Sequence, residues 1–201
     1  KGAGLSHRTI VLTLGTMNQM FRYAVAEGLI ERSPSIEVKA PRAKPGSKRE
    51  AAVWTVGELK RFVEVGDKHD LAAAWRLTAC GLRRSEVMGL RWQDVDLDTG
   101  IISVTQARVA FGSTVEVDEP KSEASRRVVA VERYWPGTIA ALKSHKVRQA
   151  AKGTWDDSGL VVTTHTGEGL HPDLYSDWFR ALCRDAGLPV IRLHEVRHTL
   201  S

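Results

Sequence analysis

Apolar residues return every three or four positions through the first part of the chain, at Ile10, Leu14, Met17, Phe21 and Val25. That spacing draws one stripe along an α-helix and predicts a helix over residues 6–28. Ser6 is placed to cap its first turn and Gly28 to end it. A lone helix with one apolar face makes no core, and only a short tail to residue 38 accompanies it. The helix is therefore expected to be the last piece of a helical domain, or to dock elsewhere.

Past residue 52 the pattern changes. Thr55-Val56-Gly57-Glu58 has the form of a capping box and starts a helix that runs to Val65. A second helix is expected over 69–80, stopped by Gly81, and a third, short one over 84–90. Asp98-Thr99-Gly100 reads as a turn. Three β-branched runs follow, Ile101–Arg108, Thr114–Val117 and Ser125–Val131, and they predict a three-stranded antiparallel sheet. Helix returns at 136–151, Leu160–Thr163 reads as a short strand, 172–186 as a helix stopped by Gly187, and a last helix begins at 193. The expected fold class is mainly α with a small three-stranded antiparallel sheet.

Composition narrows the classes. At 42% hydrophobic and 26% charged, the chain looks like an ordinary globular protein. No run approaches the ~20 apolar residues of a membrane span, and Lys1–Arg8 lacks the apolar stretch of a signal peptide. Two cysteines, Cys80 and Cys183, make no disulfide framework. No membrane partner is expected, and an intracellular location is.

Charge adds a partner. Residues 1–52 hold nine Lys and Arg against four Asp and Glu, which is the whole net charge of +5. Five of the nine, Lys39, Arg42, Lys44, Lys48 and Arg49, fall in a Pro- and Gly-containing stretch with no helical or strand period. Residues 39–52 read as a solvated linker, and equally as a basic strap for a polyanion, since such clusters displace counterions from phosphates.

Three places carry candidate chemistry. Arg83 follows the glycine that breaks one helix and precedes the next, where helix-terminal amides and a guanidinium both favour an anion. Glu86, three residues on, can hold Arg83, so a structural ion pair is the plainer reading. Lys121 is the only lysine between Lys68 and Lys143 and falls at a predicted hairpin turn. His194-Glu195-Val196-Arg197-His198 matches the zinc-protease pattern H-E-x-x-H, but no third ligand flanks it, and Arg197 would sit beside the dication. Read as His-x-x-Arg, the same letters suit a phosphate.

The run G-L-R-R-S-E at 81–86, a lone lysine before S-R-R, and L-H-E-V-R-H-T at 193–199 occur in this order and spacing. Together they resemble the tyrosine recombinase (phage-type integrase) family. G-L-S-H-R-T-I and Y-A-V-A-E-G-L-I-E-R-S-P also resemble the end of that family's helical core-binding domain. The resemblance implies three parts: residues 1–38 as the C-terminal part of the DNA-binding core domain, 39–52 as basic linker, and 53–201 as the catalytic domain. It implies Arg83 as the first catalytic arginine, Lys121 as the hairpin lysine, His194 as the histidine and Arg197 as the second arginine. The strap Lys39, Arg42, Lys44, Lys48 and Arg49 would bind DNA.

The chemistry that the resemblance implies is breakage and rejoining of DNA through a 3′-phosphotyrosyl link, with no metal and no cofactor. Two fork-shaped arginines clamp the non-bridging oxygens as charge develops. A lysine protonates the leaving 5′ oxygen, and a histidine manages the nucleophile's proton. Double-stranded attachment sites are the implied partner, with self-association on DNA, room for an accessory DNA-bending protein, and a cytoplasmic, nucleoid-associated location in a bacterial or phage-infected cell.

The chain departs from the family pattern at its start, where one long helix stands for the several of the core-binding domain, and after His-x-x-Arg, where the family's later His or Trp site is not found. The family's tyrosine lies downstream of His-x-x-Arg, whereas Tyr23, Tyr134 and Tyr175 all lie upstream of it, in segments unlike the nucleophile's. A catalytic domain incomplete at its C-terminus, binding DNA without cutting it, is therefore the expectation for these residues alone. The rival readings are a catalytically silent DNA-binding module and a type IB topoisomerase-like enzyme.

Overall fold

The computed structural model describes residues 4–42, 52–118, 127–152 and 157–200, the side chain of Leu200 excepted. The chain divides into two compact units, Lys1–Glu50 and Ala51–Ser201.

In the first unit the amphipathic stripe forms helix α1, His7–Ala26. Ser6 caps it as expected: its side chain accepts from the Thr9 amide at 3.1 Å. None of the helix's residues is fully buried. The tail folds back on it through Ser35, whose hydroxyl donates to Asn18 Oδ1. The imidazole of His7 lies 2.8 Å from the Pro41 carbonyl oxygen.

The second unit holds the core. Helices α2 (Val56–Gly66), α3 (Ala72–Ala79), α4 (Arg84–Gly89), α6 (Thr138–Ala150) and α7 (Pro172–Asp185) surround it, with the single turns α5 (Val131–Tyr134) and α8 (Leu193–Val196). The expected capping box starts α2: the Glu58 carboxylate accepts from the Thr55 amide at 2.7 Å, and Thr55 Oγ1 accepts from the Glu58 amide at 3.2 Å. Aromatic rings fill the interior. Trp75 stacks on Tyr175 at 4.4 Å, and Phe62 meets Phe179 edge-on at 5.6 Å. Such pairs add about 0.5–1.5 kcal/mol beyond the area they bury.

The strands divide differently from the expectation. Ile101–Arg108 is two strands, β2 (Ile101–Val104) and β3 (Ala107–Phe111). The break falls at Thr105 and Gln106, whose side chains are engaged elsewhere. Thr105 Oγ1 accepts from Arg91 at 3.0 Å, and Gln106 Nε2 donates to the Gly89 carbonyl at 2.7 Å. The three-stranded antiparallel sheet runs β1 (Val95–Asp96), β2, β5 (Arg127–Ala130), while β3 pairs with β4 (Thr114–Asp118) as a separate hairpin. That hairpin lies close against α4: a Cβ at Gly89 would meet the Ala107 backbone at 3.0 Å, so glycine is needed there. Leu160–Thr163 is no continuous strand. Its ends make isolated bridges, Leu160 to Arg91 and Thr163 to Gly169.

Candidate active site

The site is built on a helix stop. Helix α3 ends in a Schellman arrangement, with the Gly81 amide donating to Thr78 O at 3.0 Å and the Leu82 amide to Leu77 O at 3.3 Å. Gly81 takes φ +81, a conformation that only glycine adopts cheaply. Leu82 is buried and anchors the turn. The chain then leaves in an extended conformation and starts α4, with Arg83 at the N-cap position.

Glu86 organises this corner. Its side chain is 8% exposed. One carboxylate oxygen, Oε2, accepts from the Arg83 amide at 2.7 Å, and the other, Oε1, accepts from Arg83 Nη1 at 2.8 Å. The ion pair read from sequence therefore exists, and the helix-start amide is already taken. The Arg83 side chain itself stays 51% exposed on the surface of the corner.

Arg197 reaches the same corner from the end of the chain. The Glu195 carboxylate accepts from the Arg192 amide at 2.7 Å and caps α8, while Ile191 and Val196 are buried as anchors. A 3-10 turn, Arg197–Leu200, continues it. Arg197 Nη1 donates to the Gly81 carbonyl at 3.4 Å. Two bonds from Trp54 fix this end of the unit: its amide donates to Thr199 Oγ1 at 3.3 Å and its indole Nε1 to Pro189 O at 2.9 Å.

A third arginine completes the corner, and sequence reasoning passed over it. Arg127 opens β5, where Val129 on the same face is buried and Val128 and Ala130 are exposed. That alternation turns Arg127 inward. Its Nη2 donates to Glu86 Oε2 at 2.6 Å and to the Gly81 carbonyl at 3.5 Å. Burial lowers its affinity for its proton; Glu86 opposes this, and Arg197 and Arg83 add to it. A cavity of about 240 Å³ opens beside these groups, lined by Gly81, Arg127, Val129, Tyr134 and Arg197 among others. The strand alternation in R-V-V-A was the available signal. Reading S-R-R only as context for Lys121 hid it.

The other expected residues are placed less closely. His194 is exposed on α8, one turn before Arg197, with its ring edge-on to His198 at 5.4 Å. Lys121 lies outside the described residues, between β4 and β5. Lys39 and Arg42 are exposed, and Lys44, Lys48 and Arg49 lie outside the described residues. Among the described residues no three His, Cys, Asp or Glu side chains converge as metal ligands. Glu195, the base that a zinc protease would need, is occupied as a helix cap. Tyr175 is buried with its hydroxyl 2.7 Å from Thr78 Oγ1 and donating to Ala74 O at 3.0 Å.

A family profile described as "Phage integrase family" matches residues 55–201. A tyrosine recombinase XerC-like protein of Caldanaerobacter subterraneus is 28% identical over 98% of this chain and 55% of its own length. The ICEBs1 integrase of Bacillus subtilis is 24% identical, over 98% of this chain and 54% of its own. This chain thus spans about half the length of these curated relatives. Among solved structures, the Tn1549 transposon integrase in complex with a circular intermediate DNA superposes with a TM-score of 0.75 at 17% identity, covering 98% of this chain and 66% of that one. At that identity the likeness speaks for the fold.

Proposed function

This chain belongs to the phage integrase family, and from that premise we propose that it is part of a tyrosine-type site-specific DNA recombinase of a mobile element. The observation that carries the reading is the corner at Gly81. Arg83 stands two residues after it, and Arg197 donates to its carbonyl at 3.4 Å across 116 residues. Arg83 and Arg197, from distant segments, meet at this one glycine, and Arg197 also lines the open cavity beside it, an arrangement that suits a phosphate clamp.

The proposed chemistry is phosphoryl transfer. A tyrosine oxygen bonds to phosphorus as the bond to the 5′ oxygen breaks. Arg83 and Arg197 hold the non-bridging oxygens as their charge grows. Lys121 gives a proton to the departing 5′ oxygen, and His194 handles the proton of the attacking hydroxyl. Rejoining reverses each step. We assign the nucleophile to none of Tyr23, Tyr134 and Tyr175. The hydroxyl of Tyr175 is committed in the core, and burial pushes its pKa up, away from phenolate.

The partner in this reading is double-stranded DNA at attachment sites, with self-association on it and room for an accessory DNA-bending protein. Residues 1–38 and the strap Lys39, Arg42, Lys44, Lys48 and Arg49 contribute binding, and the protein acts on DNA in the cytoplasm. No helix among the described residues is long and apolar enough to cross a membrane. The test is trapping of a covalent adduct by the full-length protein on a nicked suicide duplex. At saturating DNA, Arg83→Ala or Arg197→Ala is expected to slow trapping by about 10²–10³-fold, the worth of one transition-state donor. Lys121→Ala is expected to recover with a bridging 5′ phosphorothioate, whose leaving group needs no proton. Unchanged rates in the arginine variants would leave a DNA-binding module or a different active site.

A further inference from the structure

Resting on that reading, we propose that Arg127 is a positioning residue of the recombinase site: it acts through Glu86 to set Arg83 and to keep the clamp positively charged.

The geometry gives it two tasks. Glu86 Oε2 lies between two donors, the Arg83 amide at 2.7 Å and Arg127 Nη2 at 2.6 Å. With Oε2 held, Oε1 is directed at Arg83 Nη1 at 2.8 Å. Arg83 is half exposed and has a long side chain, so by itself it would sample many rotamers. A carboxylate fixed in one rotamer limits that sampling. Arg127 also touches the Gly81 carbonyl, the acceptor of Arg197. One side chain thus joins both supports of the clamp, from a strand that belongs to neither.

The second task is electrostatic. A lone Arg83–Glu86 pair is neutral and a poor anion site. Adding Arg127 and Arg197 gives three guanidinium groups against one carboxylate, an excess of two positive charges in this cluster. A phosphodiester carries one negative charge and moves toward two as the nucleophile adds. Holding Arg83 with a carboxylate, and still binding that charge, requires a further cation. Arg127 supplies it at the cavity wall, with its Nη2 on Glu86 and its side chain only 25% exposed. Its Nε is buried without a partner among the described residues. An arginine there only for stability would be expected to have that donor satisfied.

The test is a double-mutant cycle on the full-length protein with Arg127→Met, Glu86→Gln and the pair. Three quantities are read: urea midpoint, DNA affinity, and the single-turnover rate of adduct formation at saturating DNA. Arg127→Met is expected to cost about 10–100-fold in rate, the scale of outer partners at metal sites, with affinity changed only a few-fold. The pair should be no slower than the worse single variant, because both changes release the same side chain. Arg127→Lys, which keeps the charge and one bond to Glu86, should recover part of the rate. If Arg127→Met does not fold, the cycle is run with Arg127→Lys. Rates that multiply across the cycle, or a rate loss that tracks the urea midpoint alone, would overturn the inference. Should Arg83→Ala cost rate and Arg127→Met none, the inference fails and the recombinase reading stands. Should the unchanged protein form no adduct, both fall.

Discussion

The amide of Trp54 donates to Thr199 Oγ1 at 3.3 Å, joining the first and last parts of the second unit. Trp54 is 3% exposed, with its ring 5.1 Å from Phe62 and 5.8 Å from Phe179. The turn that carries Arg197 is thereby fastened to the aromatic core. Trp54→Ala is expected to cost about 3–5 kcal/mol in urea unfolding, the range for deleting a large buried ring. Thr199→Val, which removes only the acceptor, should cost about 1 kcal/mol. A Trp54→Ala protein with an unchanged midpoint would mean that this anchor is not part of the folded unit.

The basic strap makes a prediction about salt. With Lys39, Arg42, Lys44, Lys48 and Arg49 changed to alanine, the slope of log affinity against log salt should flatten by about 0.9 for each phosphate that is no longer neutralised. Anisotropy titrations at several salt concentrations measure it. A parallel line shifted to weaker binding would remove these residues from the DNA surface.

Tyr175→Phe separates packing from chemistry. The hydroxyl lies between Thr78 and the Ala74 carbonyl inside the core. Its loss should cost about 1–3 kcal/mol, lower the urea midpoint, and leave the adduct rate per folded molecule intact. A rate that vanishes while the fold survives would make Tyr175 the nucleophile and undo the assignment above.

His145 gives a pH dependence. Its Nε2 lies 2.8 Å from the Val161 carbonyl oxygen, so it carries the ring proton, and Nδ1 is buried without a partner among the described residues. Burial lowers its folded-state pKa; the Val161 bond opposes this, and nearby Arg148 adds to it. The neutral ring's contribution to stability is full above the unfolded value of about 6.5 and is lost as pH falls through the folded-state value. His145→Gln, which keeps a donor for Val161, should lose less stability than the unchanged protein between about pH 7.5 and 5.5. Equal losses would assign the acid sensitivity to other groups.

Much of this fold was legible because its signals are local. Ser6, the Thr55–Glu58 box and the Gly81 stop each act within a few residues of the helix end they define. The sheet was less legible. β2 pairs with β5, Ile102 opposite Val129, across a long stretch of chain, and nothing in either run's period names its partner. The break at Thr105 and Gln106 was hidden for the same reason, since its acceptors and donors come from Arg91 and Gly89. At the site, the His-x-x-Arg and Arg83 signals lie in short motifs. Arg127 becomes visible only once β5 is laid beside Glu86, a relation that exists in space and not along the chain.

Because Glu86 binds the Arg83 amide, Arg83 Nη1 and Arg127 Nη2 at once, a substitution at 83, 86 or 127 is felt by all three residues. Loss of the carboxylate leaves two cations without the anion they share, and loss of Arg127 takes one of the three donors from a buried carboxylate. A change at any one of the three positions should be tolerated best where it keeps the shared bonds, as Arg127→Lys does in part.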